Sequence, residues 1–342
     1  MKLVKRLVIA GLFICSVFAL MIPLSYALRP LNEANVGTRN RITGFYAEPD
    51  DSMNVVIVGN SGLYRYVNNP YLYEQKGLTS YCFAFSGYNI FFAEGLIEEM
   101  LKTQSPELII LDARKFVLTE DDSVDPIRAQ RVFNNIKYSS IRCEMINRAY
   151  PNPLDRIVNY FDIALYHDNW EQLNWERLEF ADNEKKNTLK GFQIVPKVVP
   201  MNHVDVSGIE EKVPISEASE ETLRSILEMC QEEGLEIMLL STPWMISEEE
   251  QKKSNYINDI VEEYGYSYLD MNANINEIGL DFANDFYDEK HVNVIGSEKV
   301  TDYLGDYIME RYEFDMEHDE VVVKSWEKAV TSYNKKMKKY RK

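Results

Sequence analysis

Cysteine is scarce in this sequence, which contains four cysteines among 342 residues. Cys15 lies inside an apolar N-terminal segment, and the other three, Cys82, Cys143 and Cys230, leave at least one thiol unpaired. Four cysteines are too few for a disulfide-stabilised scaffold, and their spacing is not that of a metal site. The fold must therefore depend on a hydrophobic core, for which the roughly 300 residues after the N-terminal segment are sufficient.

Positively charged residues are also few. The sequence contains 37 Lys and Arg and 55 Asp and Glu, which gives a formal net charge of −18. Nucleic-acid phosphates would be repelled by such a chain, so we expect no nucleic-acid partner. His167, His203 and His318 have no metal-ligand spacing, and we therefore expect neither a metal nor another cofactor. The sequence has no internal repeat, and its one biased tract is the basic tail at 335–342.

The N-terminus contains the longest uncharged segment, residues 7–28. A stretch of this length can span a bilayer, whereas the core of a signal peptide is usually shorter. Lys2, Lys5 and Arg6 precede it, which favours a cytoplasmic N-terminus with the rest of the chain outside the membrane. We predict an uncleaved anchor over 1–28 and a polar linker over 29–53. The alternative is a signal peptide cleaved after the small-residue site at 25–27.

Short apolar runs alternate with helical patterns along most of the remaining chain. Strands are predicted at 55–58, 81–85, 108–111, 236–240 and 266–270. Helices are predicted at 89–102, 219–233 (with Ser219 as N-cap), 247–264 and 297–312. Because uniformly apolar runs are typical of buried parallel strands joined by crossover helices, the sequence predicts an α/β fold in three layers. A mostly parallel sheet would carry helices on both faces.

The alternation breaks between about 118 and 212, which we interpret as a helical insertion in an α/β domain spanning 54–315. Its helical pattern is rich in aromatic residues: Tyr138, Tyr160, Phe161, Tyr166, Trp170, Trp175 and Phe180. Aromatic faces suit sugar rings, although aromatic side chains also pack between helices. Residues 316–342 are predicted to form a charged C-terminal extension.

Two short motifs carry the chemistry. Ser61 stands in Gly-Asn-Ser-Gly directly after the first strand, at the sheet edge where open α/β folds bind ligands. Asp288 and His291 are three residues apart just before a helix, so the aspartate can hold Nδ1 of the imidazole while Nε2 deprotonates a hydroxyl. Each motif alone is also typical of an ordinary turn. Their occurrence together favours a Ser-His-Asp site.

In these motifs the sequence resembles the SGNH (GDSL-like) hydrolase superfamily. Ser61 matches the block after the first strand, Gly87 in Phe-Ser-Gly matches the block after the second, and Asp-Glu-Lys-His-Val-Asn matches the final Asp-x-x-His block. The third block does not match, because no asparagine follows Leu-Ile-Ile-Leu-Asp-Ala-Arg. The resemblance implies an oxyanion hole formed by the backbone N–H groups of Ser61 or Gly62 and of Gly87. Arg114 is a candidate to replace the missing asparagine.

Two other site types fit less well. The Gly-x-Ser-x-Gly elbow of α/β-hydrolases fails here because Leu63 occupies the last glycine position. In that fold the acidic residue is also usually distant in sequence from its histidine, unlike Asp288 and His291. A metal site is disfavoured by the histidine spacing already described.

The resemblance implies a serine esterase or O-acyltransferase that works through an acyl-enzyme. Similar membrane-anchored members act in polysaccharide O-acetylation and in D-alanyl transfer to lipoteichoic acid. We therefore expect an extracytoplasmic enzyme that acts on a cell-surface polysaccharide or another acyl ester, with a membrane acyl-donor protein as a further expected partner. Two alternatives stay open: a surface protein of the same fold that is catalytically weak or inactive and serves in glycan binding or assembly, and an unrelated anchored binding protein.

Overall fold

A parallel sheet lies at the centre of the computed structural model, which describes residues 2–161, 163–175, 177 and 186–340. Five strands form it in the spatial order β2-β1-β3-β4-β5. The strands are β1 (Val55–Gly59), β2 (Ser80–Ala84), β3 (Leu108–Asp112), β4 (Ile237–Ser241) and β5 (Ser267–Asp270). A separate antiparallel hairpin pairs β6 (Phe286–Asp288) with β7 (His291–Val292). The predicted α/β class and parallel sheet are confirmed.

Helices cover both faces of the sheet. The first half of the chain contains α1 (Lys2–Leu28), α2 (Glu33–Tyr46), α3 (Ser61–Tyr64), α4 (Asn69–Lys76), a 3-10 turn (Ile90–Phe92), α5 (Ala93–Leu101), α6 (Arg114–Leu118), α7 (Pro126–Phe133), α8 (Ser140–Ala149), α9 (Pro153–Tyr160), α10 (Ile163–Tyr166) and a second 3-10 turn (His167–Gln172). The second half contains α11 (Glu217–Glu232), α12 (Glu248–Glu263), α13 (Ile275–Ile278), α14 (Val294–Arg311) and α15 (Glu320–Met337).

Alternate strand residues point to opposite faces and divide the core into two layers. Val56 and Val58 of β1 belong to one hydrophobic cluster, with residues of α2, α5, α11 and α12. Val55 and Ile57 belong to the other, with Leu72 of α4 and residues of α14. Strands buried on both faces need the continuous apolar runs that the sequence shows. The three-layer arrangement therefore follows from the strand composition.

Three segments differ from their predicted structure. The predicted linker over 29–53 contains α2, whose side chains Ile42 and Phe45 are buried under the sheet. Within the C-terminal extension, α15 packs on the domain, with Trp326 stacked on Tyr73 at 5.0 Å between ring centroids. The helix predicted from Ser219 begins at Glu217 instead, because the Ser216 side chain accepts the Ser219 N–H and caps it.

The N-terminal helix α1 is long and apolar enough to cross a membrane. Most of it is exposed, but Ser25 to Leu28 are buried against the helical insertion. Asn169 Nδ2 donates to the Leu28 carbonyl at 2.8 Å, and Phe18 contacts Phe161 at 5.7 Å between ring centroids. The insertion therefore holds the end of α1. Phe180, named among the insertion's aromatic residues, lies outside the described residues.

Candidate active site

The order of the strands creates a crevice at the carboxyl edge of the sheet. From β1, the chain runs to β2 on one side, whereas β3 and the later strands lie on the other. The segments that follow β1 and β3 therefore diverge, and ligands bind at such switch points in open α/β folds. Gly59 lets the two strand ends approach, because a Cβ there would lie 2.4 Å from Cβ of Asp112.

Ser61 is the first residue of α3, directly after β1. The preceding residue, Asn60, caps this short helix with its side chain, since Oδ1 accepts the Gly62 N–H at 2.5 Å. This hydrogen bond occupies the Gly62 N–H, which the sequence analysis considered for the oxyanion hole. The backbone N–H groups of Ser61 and Gly87 remain as candidate donors, together with the Arg114 side chain.

The structure brings Ser61, His291 and Asp288 together. Nε2 of His291 lies 2.9 Å from Oγ of Ser61, and Nδ1 lies 2.8 Å and 3.1 Å from the two carboxylate oxygens of Asp288. A carboxylate accepts only, so Nδ1 carries the proton and Nε2 is left to accept from the serine hydroxyl. Ser61 and His291 are 230 residues apart in sequence.

The surroundings of His291 favour the neutral imidazole. Burial is the main cause that lowers the pKa of His291, to about 4, and the positive charges of Arg65 and Arg114 act in the same direction. Asp288 opposes this shift, because its carboxylate stabilises the imidazolium. Arg65 Nη1 is 3.3 Å from Nδ1 of the same ring. His291 is therefore held in the form that can accept a proton at neutral pH.

Two side chains fix the turn before His291: Tyr66, which had no predicted role, and Arg114, which was predicted only as a candidate oxyanion donor. The Tyr66 hydroxyl donates to the Lys290 carbonyl at 3.0 Å, and Arg114 Nη1 donates to the same oxygen at 3.0 Å. The Tyr66 hydroxyl also bonds to the carbonyl of Pro243. Tyr66 is fully buried, and the Arg114 guanidinium lies 4.5 Å above the Trp244 ring centroid. These contacts connect the loops after β1, β3 and β4 to the histidine.

Asp112, the last residue of β3, lies beneath this edge and is completely buried. Burial raises the pKa of its carboxyl group to about 6, while Arg114 and Lys115 oppose that rise. Its Oδ1 accepts the Arg114 N–H at 3.1 Å. Asp112 therefore places a carboxyl group behind the two cations, and its position at a strand end is the signal that could have identified it from sequence.

Gly87 shares one pocket with Ser61 and His291, and this pocket has a volume of about 380 Å³. Gly87 has a φ of +105°, and a Cβ there would lie 2.2 Å from the Arg128 carbonyl oxygen. Only glycine permits both this backbone conformation and the close approach of α7. The helical insertion thus forms a wall of the pocket through α7, which places Arg128 and Arg131 there.

The aromatic residues of the insertion lie elsewhere. The described ones, from Tyr138 to Trp175, are not among the residues that line the Ser61 pocket, whose aromatic side chains are Phe85 and Tyr88. Trp170 and Trp175 are 66% and 83% exposed. Whatever these aromatic faces contact, the described ones do not line the pocket that contains Ser61.

The remaining histidines are separate from this site. His203 stacks on Phe282 at 4.1 Å between ring centroids, and His318 Nε2 lies 3.2 Å from Oδ1 of Asn54. In the described part of the chain, no three His, Cys, Asp or Glu side chains are grouped so that they could hold a metal ion.

Compared with known proteins, the chain matches no protein-family profile and no curated protein.

Proposed function

We propose that this chain is a serine acyl esterase or O-acyltransferase that forms an acyl-enzyme on Ser61. The observation that carries this proposal is the continuous series of hydrogen bonds from Ser61 Oγ through His291 to Asp288. A serine hydroxyl is a weak nucleophile at neutral pH and needs a base within hydrogen-bond reach. The series lies at the switch point of an open α/β sheet and opens into a pocket, where a substrate can reach it.

In the first half of the reaction, Nε2 of His291 takes the Ser61 proton while Oγ attacks the carbonyl carbon of an ester. The carbonyl π-bond opens to give a tetrahedral oxyanion, and Asp288 stabilises the imidazolium. The C–O bond to the leaving alcohol then breaks, and His291 gives its proton to that oxygen. Ser61 is left as an acyl ester.

In the second half, His291 deprotonates the acceptor, which attacks the acyl carbon. The bond from that carbon to Ser61 Oγ then breaks, and His291 returns the proton to Oγ. Water as the acceptor makes the enzyme an esterase, whereas a sugar hydroxyl makes it an O-acyltransferase. Both outcomes use the same groups, because only the identity of the acceptor differs. Neither half-reaction requires a metal or an organic cofactor.

The oxyanion is assigned to the N–H groups of Ser61 and Gly87 and to the Arg114 guanidinium. Loss of one oxyanion donor typically costs about 10² to 10³ in rate. Arg114 already donates to the Lys290 carbonyl through one nitrogen, yet a guanidinium has five N–H groups and can serve two acceptors. We therefore assign Arg114 the position for which the sequence offers no asparagine.

The substrate is assigned to the cell surface. The apolar helix α1 and the basic residues before it favour a membrane anchor with the domain on the outer side. The resemblance to SGNH proteins that modify surface polysaccharides points in the same direction. We propose a cell-surface glycan as the substrate and, for the transferase, a membrane acyl-donor protein as the partner.

A second function is favoured by one observation at the oxyanion hole. The Gly62 N–H is bound by Asn60, and the third SGNH block lacks its asparagine. A surface protein that keeps the fold but has weak or no catalysis, and serves in glycan binding or assembly, would show the same features.

Labelling with a fluorophosphonate probe distinguishes the two functions. We expect the full-length protein to be labelled and Ser61→Ala to lose labelling by about 10³ or more, because the attacking oxygen is removed. Ser123→Ala is the matched control, since Ser123 is exposed and bonds only locally, to Asp121. Equal labelling of wild type and Ser61→Ala, or no labelling of either, would contradict the enzymatic proposal.

A further inference from the structure

The pocket over Ser61 has a charge opposite to that of the whole chain. Five cationic residues line it: Arg114, Lys115, Arg128, Arg131 and Lys290. The described lining residues include no Asp or Glu, although the chain as a whole has a net charge of −18. Random placement of charge on such an acidic protein does not concentrate cations in one concave site. The contrast between a cationic pocket and an acidic chain therefore indicates that the pocket has a role of its own.

Carboxylates do not neutralise this cluster. Arg128 pairs with Asp125 at 3.3 Å, but both side chains are more than half exposed, so solvent weakens the pair. In the described residues, Arg114, Arg131, Lys115 and Lys290 form no ion pair with a carboxylate.

The contacts that two of these cations do make are polar or aromatic. Arg131 Nη1 donates to Ser86 Oγ at 3.2 Å, and Arg114 stacks on Trp244. Asp112 stands behind Arg114 and Lys115, but a single carboxyl group cannot balance two cations. Positive charge therefore remains in excess at the pocket surface.

The cations repel one another at a cost to the folded protein. Burial lowers the pKa of Lys115, and nearby Arg114, Arg128 and Lys290 lower it further, whereas Asp112 opposes the shift. A group that carries negative charge would relieve this repulsion when it enters the pocket. Partly buried walls also strengthen the field, because they exclude the water that would otherwise screen the charges.

Stabilising the single oxyanion that would form at Ser61 does not require five cationic residues in the pocket. The candidate oxyanion donors belong to the segments after β1, β2 and β3, whereas Arg128 and Arg131 come from α7 in the insertion. Arginine is suited to phosphate and carboxylate groups, because its planar N–H groups can bind two oxygens at once. The volume of about 380 Å³ suits a sugar-sized unit, not a folded partner.

We propose that the α7 arginines bind an anionic substituent of the substrate, so that the enzyme acts on a glycan unit bearing a phosphate or carboxylate group. This inference rests on the proposed function and narrows its substrate class from glycans in general to anionic ones. The anion is held and positioned while the ester reacts at Ser61; no bond to it is made or broken. Arg128 and Arg131 are assigned to substrate specificity, and Ser61, His291 and Asp288 to the chemistry.

The test compares three acetate esters that differ in one substituent: an O-acetylated methyl glucoside, its 6-phosphate, and the corresponding uronate. We expect the full-length protein to show a kcat/KM about tenfold or more higher for the two anionic esters than for the neutral one, because charge-assisted hydrogen bonds are stronger than neutral ones. The phosphate and uronate arms show which anion is preferred. Equal kcat/KM for all three esters would overturn the proposal.

The specificity variant is Arg128→Gln/Arg131→Gln, which leaves Arg114 and the buried Lys115 intact. We expect it to lose most of the anionic preference, measured as the ratio of kcat/KM for an anionic ester to kcat/KM for the neutral one, mainly through a higher KM for the anionic esters. The matched control is Lys335→Gln/Lys336→Gln, which removes the same charge from α15. Retention of the anionic preference in the α7 variant would contradict the assignment.

A binding measurement separates this inference from the proposed function. Calorimetry with the Ser61→Ala protein compares glucose 6-phosphate, glucuronate and glucose, and no reaction is needed. We expect the anionic sugars alone to bind, and their binding to weaken in the α7 double variant. Binding of the anions by a wild-type protein that neither hydrolyses the esters nor reacts with the fluorophosphonate probe would refute the enzyme and keep the anion site. Hydrolysis of all three esters with no binding of the anionic sugars would refute the anion site and keep the enzyme.

Discussion

Two cavities in this protein differ in volume, in the charge of their lining residues and in whether they contain a Ser-His-Asp series. The cavity along β5 has a volume of about 910 Å³, against about 380 Å³ for the Ser61 pocket. Carboxylates dominate the larger one, whose charged lining residues are Glu210, Lys212, Asp270, Glu277, Asp306, Glu310 and Arg311. The smaller pocket is cationic and contains the only hydrogen-bonded Ser-His-Asp series found among the described residues. Size alone would therefore have selected the cavity that lacks this series.

The topology of the sheet explains the difference. The Ser61 pocket lies where the chain leaves β1 and β3 in opposite directions, so loops from several strands converge on it. The larger cavity borders β5, which is an edge strand, and its walls come from the segment at 209–212 and from α12, α13 and α14. Loops that converge at the carboxyl edge of the sheet can bring reacting groups together from distant parts of the sequence. The cavity beside β5 is instead lined mainly by side chains on the surfaces of the adjacent helices.

The largest effect expected beyond removal of Ser61 comes from Asp288. Asp288→Asn keeps the size of the side chain, but it removes the charge that stabilises the imidazolium and allows the wrong tautomer of His291. We expect the turnover of an acetate ester to fall by about 10², with unchanged thermal unfolding. Steady-state kinetics of the purified variant would measure this loss.

Glu289→Gln is the matched control for Asp288→Asn. It makes the same chemical change one residue along the turn, at an exposed side chain that has no contact with His291 among the described hydrogen bonds. We expect the activity of Glu289→Gln to stay within about twofold of wild type. If the two variants were equally active, Asp288 would have no role and the site would be at most a Ser-His dyad.

The next effect is on pH dependence and follows from the cations near His291. A histidine base must be neutral, and burial with Arg65 and Arg114 lowers its pKa to about 4. Activity should therefore be retained as the pH falls through 6 and be lost only as it passes through about 4. We expect the acid limb of kcat/KM for a neutral ester to lie well below the usual histidine range.

Arg65→Gln tests the cause of that shift. It removes a positive charge 3.3 Å from Nδ1, so the pKa of His291 should rise and the acid limb should move to higher pH. Lys335→Gln removes a charge on the distant α15 and should leave the limb in place. A wild-type limb at the ordinary histidine pKa that does not move in Arg65→Gln would contradict the electrostatic account.

The sequence predicted the sheet well because β1 to β4 are short, mostly apolar runs that are fully buried, whereas β5 (Ser-Tyr-Leu-Asp) is only partly buried. Ser61 could be found for a related reason, because it follows β1 at the edge of the sheet where ligands bind. Asp288 and His291 could be found from their three-residue spacing just before a helix, which is a local pattern. The helix α2 was missed because its first half is polar and no apolar stripe runs along it. Its Arg41 is nevertheless buried, where it stacks on Tyr64 at 3.5 Å and donates to the Gly191 carbonyl.

The cationic wall of the pocket could not be predicted for a different reason. Arg128 and Arg131 belong to a helix whose pattern shows that it is amphipathic, but not where it docks. Its place on Gly87 depends on the path of the whole insertion. Tyr66 and Trp244 were missed in the same way, since their contacts join loops that are far apart in sequence.

The smallest expected effect belongs to the acidic cavity along β5. Glu277→Gln removes one of its carboxylates, which accepts a hydrogen bond from the Tyr303 hydroxyl at 3.0 Å on the surface. Glutamine can still accept that bond, and we expect kcat/KM for both neutral and anionic esters to stay within about twofold of wild type. A tenfold loss would show that the larger cavity contributes to substrate binding. A loss confined to the neutral ester would show that the two cavities bind different parts of one glycan. Unchanged kinetics would show that the cavity along β5 contributes neither to catalysis nor to the preference for anionic esters.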